Sequence, residues 1–136
     1  MGMGPDALNE EYQRGYADFM FNENSRLGFW LGKAFRPLTE TTGEGYNRWR
    51  FPGGKVVRNL RMATRMGNSL VDGRPAFILD YSVFNPKMTL IDELRKLDDS
   101  IYFGVATIEA EDGGRGKPDF FILTGPTDSW VGPDKA

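Results

Sequence analysis

Five arginines, Arg48, Arg50, Arg58, Arg61 and Arg65, flank the turn sequence Pro52-Gly53-Gly54. On a strand after that turn, Val56, Arg58, Leu60, Met62, Thr64 and Met66 share one face. Val57, Asn59, Arg61, Ala63 and Arg65 share the other. The first set is mainly apolar, so unbroken alternation turns it inward and carries Arg58 with it. An inward guanidinium needs an anion, from a ligand or from a protein carboxylate such as Asp80 or Glu44, unless the side chain reaches back to water. Asp80-Tyr81 ends the apolar run Ala76-Phe77-Ile78-Leu79, and alternation sends one of the two inward. A buried Asp80 would have a raised pKa suited to proton transfer, and a buried Tyr81 could donate a hydrogen bond to a carbonyl. The plainer role for Asp80 is to cap the turn at 82–86. If the protein is an enzyme, Arg58, Asp80 and Tyr81 are the candidate catalytic set.

Two absences narrow the chemistry. The chain has no Cys and no His, so thiolate nucleophiles, Ser-His triads, zinc ribbons and His-ligated metal or haem are excluded. Proton transfer would fall to Asp, Glu, Lys, Arg, Tyr or hydroxyl groups. Glu109, Glu111 and Asp112 lack the spacing of a calcium loop, and 113–117 lacks that of a phosphate-binding loop. No cofactor and no metal is expected.

The elements that must hold these residues fit one domain, since the chain has 136 residues and 15.3 kDa. Hydrophobic residues make up 40% and aromatics 13%, enough for a packed core. A net charge of -2 argues against a dedicated nucleic-acid binder. No apolar run approaches the ~20 residues of a membrane span and no secretory leader opens the chain, so a cytoplasmic protein is the default expectation. Leu8, Tyr12, Tyr16, Phe19 and Met20 recur at helical spacing and predict a helix over 6–22. Residues 27–35 fit a helix end or a first strand. Strands are expected over 46–51, 55–66, 74–82, 100–109 and 120–124, with hairpin turns at Pro52-Gly53-Gly54 and Asp72-Gly73. Residues 89–97 predict a short helix capped by Thr89, with a buried stripe of Leu90, Ile91, Leu94 and Leu97 and a charge order, from Asp92 and Glu93 to Arg95 and Lys96, that suits the helix dipole. Residues 1–5 and 126–136 read as loose ends. The expected fold is mainly β: a small antiparallel barrel with an N-terminal helix and one short helix between strands.

The run Gly28-Phe29-Trp30-Leu31-Gly32 resembles the signature of the Gly-x-Trp-x-Gly family of small proteins. The later features of that family also have counterparts here: Leu79-Asp80-Tyr81-Ser82, Asn85-Pro86, the block from Leu90 to Leu97, and Tyr102-Phe103-Gly104. The likeness covers about residues 27–124. It implies a calycin-like barrel, related to lipocalins, fatty-acid-binding proteins and nitrobindins. Nitrobindin-like haem binding through a His does not carry over to this chain, and the helix over 6–22 lies outside the resemblance.

On these grounds the leading expectation is a barrel that binds a hydrophobic small molecule, apolar or aromatic and with or without an anionic group. Trp30, Leu60, Met62, Phe77, Tyr81 and Phe103 would form its site, although Trp30 could instead plug one barrel end as core. The alternative is a cyclase or isomerase of a hydrophobic substrate, working in the same cavity with Asp, Tyr or Arg. A third reading makes Trp49 and Trp130 exposed anchors of an interaction module.

Overall fold

The computed structural model describes residues 29–135. Seven strands follow one another: β1 (Phe29–Pro37), β2 (Thr42–Arg50), β3 (Val56–Asn68), β4 (Pro75–Asp80), β5 (Ile91–Asp98), β6 (Ile101–Thr107) and β7 (Asp119–Thr124). Each pairs antiparallel with the next, so the sheet order is the chain order. The mainly β, antiparallel expectation is met. The sheet curls into a nearly closed barrel in which β1 and β7 do not pair. Side chains cross that seam instead: the Trp30 and Phe121 rings meet edge to face at 5.8 Å, and the Lys33 ammonium lies 5.2 Å from the Phe121 ring centre.

The helix expected over 89–97 is replaced by β5. Strand spacing puts Asp92 and Leu94 on one face, both buried, while Leu97, assigned to the helical stripe, is 63% exposed. Apolar residues at 90, 91, 94 and 97 follow the helical period, which is why the segment reads as a helix from sequence. Pairing decides the matter, because β5 hydrogen-bonds to β4 on one side and β6 on the other, and tertiary context overrides a weak local propensity. The helix expected over 6–22 lies outside the described residues, as do residues 1–5.

Two irregularities reset the alternation. In β1 the register shifts between Trp30 and Gly32, and Gly32 has φ 141°, so Trp30 and Lys33 both turn toward the barrel interior. In β2 and β3, Gly45 pairs with Met62 and Asn47 with Asn59, which leaves Tyr46 facing both Leu60 and Arg61. Leu60 carries the extra turn at φ 52°. The inward face is therefore Met62 and Thr64 beyond the bulge and Val57 and Asn59 before it. Arg58, expected inward, sits opposite Arg48 on the outer face.

Inside the barrel, Met62, Leu79, Tyr81 and Leu94 form the buried centre, with Phe35, Leu60, Phe77, Phe121 and Leu123 packed around them. Gly104 makes room for this packing, since a Cβ there would collide with the Phe121 ring. After β7 the chain crosses the outside of β2 and β3. Trp130 lies 4.9 Å from the Tyr46 ring, and the Tyr46 hydroxyl accepts from the Val131 and Gly132 amides at 3.3 Å. Asp128 pairs with Arg48 at 3.0 Å, and the Asp134 amide donates to the Arg58 carbonyl at 2.8 Å. Through residue 135 this segment is held by these contacts, where composition alone suggests a loose end.

Candidate functional site

A polar cluster lies at the middle of the barrel wall. The Lys33 ammonium donates to Tyr81 Oη at 2.7 Å and Asn47 Oδ1 at 2.9 Å, and it pairs with Asp92 Oδ2 at 2.8 Å. Tyr81 donates its own proton to Asp92 Oδ2 at 2.8 Å. Asn47 Oδ1 also accepts from Trp30 Nε1 at 3.0 Å, and its Nδ2 donates to Tyr81 Oη at 2.9 Å and to the Leu60 carbonyl at 3.2 Å. All three ammonium protons and both amide protons thus have acceptors. The bulges in β1 and β3 build this arrangement: one turns Lys33 inward beside Trp30, and the other presents the Leu60 carbonyl.

The Lys33 and Asp92 side chains are only 5% and 3% exposed. Burial opposes the charge on Lys33, but Asp92 and Tyr81 beside it outweigh that cost and hold its pKa above the usual lysine value. The rings of Trp30, Tyr81 and Phe121 surround the ammonium at 5.2–5.5 Å and add cation–π attraction. Burial above all pushes the Tyr81 phenol up to about 12, with Asp92 adding to the rise and Lys33 and Asn47 opposing it. At neutral pH Lys33 is an ammonium and Tyr81 a neutral phenol. Among the described residues no group of three carboxylates gathers to hold a metal ion.

Lys33 also borders a cleft of about 850 Å³ that Phe35, Phe77, Leu94, Tyr102 and Leu123 line. Strand directions place its mouth at the barrel end formed by Met66, Lys96 and Tyr102, and it continues along the β1–β7 seam to the C-terminal segment at Pro126 and Trp130. Of the cluster's charged pair, Lys33 borders this mainly apolar space, and Asp92 lies behind it.

The residues singled out from sequence divide among three places. Trp30, Leu60, Met62, Phe77 and Tyr81 come together in and around the barrel interior. Phe103 does not join them; it lies on the outer face, stacked on Phe120 at 5.4 Å, because its neighbour Gly104 takes the inward position. Asp80 also faces away from the core. Its Oδ1 accepts from the Ser82 amide at 2.9 Å and the Ser82 hydroxyl at 2.6 Å, the turn-capping role, and Oδ2 is 3.4 Å from Arg65. Burial works against its charge, yet Ser82 and Arg65 hold its carboxyl below the usual range. Trp49, considered above as an exposed anchor, is buried at 2% exposure.

Lys33, Asn47 and Asp92 are the cluster members that sequence reasoning did not select. Helical spacing makes Asp92 a charge that suits the helix dipole, and Lys33 stands just beyond the Gly-x-Trp-x-Gly run. One signal was available for Asp92: read as a strand, its segment places a carboxylate on the same face as Leu94. Nothing local marks Asn47. No family model matches the chain, and no curated protein or solved structure matches it.

Proposed function

We propose that this barrel binds an apolar or aromatic small molecule in the cleft floored by Lys33. The observation that carries this reading is the combination of about 850 Å³ of ring-lined space with a floor whose hydrogen bonds are already made. Lys33 has no unused proton to offer, so the interior of the cleft selects by shape and apolar area, and the charges of Arg95 and Lys96 lie near its mouth. The Gly-x-Trp-x-Gly resemblance to calycin-like carriers supports the same reading. Fluorescence titration with N-phenyl-1-naphthylamine, an uncharged probe that brightens in apolar surroundings, tests it. Saturable binding is expected, weakened at least tenfold by Leu123→Trp, which fills the cleft from a half-buried position. Absence of saturable binding, or binding untouched by the filling variant, rejects the proposal.

A second reading, a cyclase or isomerase, draws support from the convergence of Lys33, Tyr81 and Asp92 within 2.8 Å of one another, with Lys33 at the cleft and Tyr81 and Asp92 buried behind it. In it Tyr81 would serve as hydrogen-bond donor to a carbonyl, exchanging Asp92 for substrate. Native mass spectrometry of protein taken from cells identifies the bound compound, and turnover of that compound lost in Tyr81→Phe, with binding retained, would favour this reading over simple carriage.

A further inference from the structure

The opposite end of the barrel is built differently. There the start of β3, the loop after Tyr81 with Phe84 and Met88, and the C-terminal residues Pro133 and Asp134 border a second cleft of about 740 Å³. Its ionisable lining is Lys55, Arg58, Arg61 and Lys135 against the carboxylate of Asp134, with Glu44 behind Arg61 at 3.6 Å. That excess of positive charge stands out on a chain whose net charge is -2.

Arg58 is the centre of this end. Asp134 does not satisfy its guanidinium: Oδ2 accepts from the Arg58 backbone N–H at 3.0 Å, while Oδ1 remains 3.9 Å from Nη1, beyond hydrogen-bond reach. The side chain is 25% exposed, and its Nε is buried without a hydrogen-bond partner among the described residues. Its neighbour Asn59, on the inner face, has a buried Oδ1 without a hydrogen-bond partner among the described residues, and the next residue, Leu60, holds the positive φ. Buried polar atoms without partners are uncommon, and strained backbone beside them marks places where a structure serves something other than its own stability. On the same cleft Arg61 stacks over Phe84 at 4.0 Å, a flat cationic and aromatic wall.

From this arrangement we infer a second binding site, for a small molecule that carries an oxyanion on a flat apolar body. The oxyanion takes the guanidinium fork of Arg58, whose geometry suits carboxylate, sulfonate and phosphate alike. The body lies against the Arg61–Phe84 wall and Met88, with Lys55 and Lys135 at the rim. The site is independent of the cleft floored by Lys33.

The test uses 8-anilinonaphthalene-1-sulfonate beside its uncharged counterpart N-phenyl-1-naphthylamine, on the full chain and on the Leu123→Trp variant that blocks the first cleft. The sulfonate is expected to bind the blocked variant, and the uncharged amine to bind it at least tenfold more weakly. Adding Arg58→Met should weaken sulfonate binding at least tenfold, and Arg58→Lys, which keeps the charge without the fork, should fall between. Displacement of the sulfonate by 1-naphthoate and by 1-naphthyl phosphate separates carboxylate from phosphate ligands. In the unmutated chain the Arg58 Nε–H resonance should move on addition of 1-naphthyl phosphate, a readout that needs no variant. An unmoved resonance, or an Arg58→Met protein of unchanged melting temperature that binds the sulfonate as tightly as its parent, overturns the inference. A chain that ignores the uncharged amine altogether yet binds the sulfonate through Arg58 removes the proposal for the first cleft and leaves this one standing.

Discussion

The interior around Lys33 and the barrel end around Arg58 each contain a cation at low exposure, and they treat it in opposite ways. Lys33 has an acceptor for every proton, a carboxylate at 2.8 Å and three aromatic rings around it. Arg58 has a carboxylate nearby that bonds its backbone instead, and a buried Nε–H with no acceptor among the described residues. A satisfied buried pair holds its neighbours in one arrangement, because losing either member strands a charge in a poor solvent. An unsatisfied group contributes little to stability and remains available to bind something else. The difference separates a structural cation from one suited to recognition, even though residue type and local sequence make Arg58 the more conspicuous candidate.

The largest effect that would test this contrast is at Lys33. Lys33→Met leaves the Asp92 carboxylate buried and unpaired, and urea denaturation should show a loss of about 3–5 kcal/mol. Adding Asp92→Leu should recover part of it; no recovery would mean that the ion pair is not the source of the loss.

Alkaline pH probes the same cluster without mutation. Tyr81 ionises near 10 when unfolded and at about 12 when folded, and the folded-state pKa of Lys33 is likewise raised. Both raised values mean that the unfolded chain loses its protons first. The cluster's contribution is therefore full below about pH 10 and falls as pH rises through the folded pKa values, with the Tyr81 share about 2–3 kcal/mol. Urea midpoints measured from pH 8 to 11 should stay level and then drop, with a shallower drop in Tyr81→Phe. A level profile to pH 11 would contradict the assigned shifts.

Packing in the barrel interior gives a smaller effect. Gly104→Ala puts a methyl group into the space of the Phe121 ring and should cost about 1–3 kcal/mol, relieved by Phe121→Leu in the double variant. Additive costs in the two variants would show that the ring and the glycine are not coupled.

Arg58→Met should have the smallest effect, within about 0.5 kcal/mol of the parent, since its guanidinium donates no hydrogen bond to the described residues. A loss close to that of Lys33→Met would erase the distinction between the two cations.

Much of this molecule was legible in its residues. The turns at Pro52-Gly53-Gly54 and Asp72-Gly73, together with period-two apolar runs, were enough for an antiparallel, mainly β chain, because turn chemistry and alternation are local properties. Alternation also limited Asp80 and Tyr81 to one inward residue, and the apolar centre around Met62, Phe77 and Tyr81 followed from residue type. The strand at 91–98, the inward turn of Lys33 and the outward turn of Arg58 needed the tertiary structure. β5 is a strand because β4 and β6 present hydrogen-bonding edges on both sides of it. The two cations lie where they do because one extra residue in β1 and one in β3 reverse the alternation that sequence reading assumes. Whether a strand bulges depends on its partner's register, and Lys33 meets Asp92 only once every strand between them is paired. That is a property of the closed sheet, and no short stretch of the chain contains it.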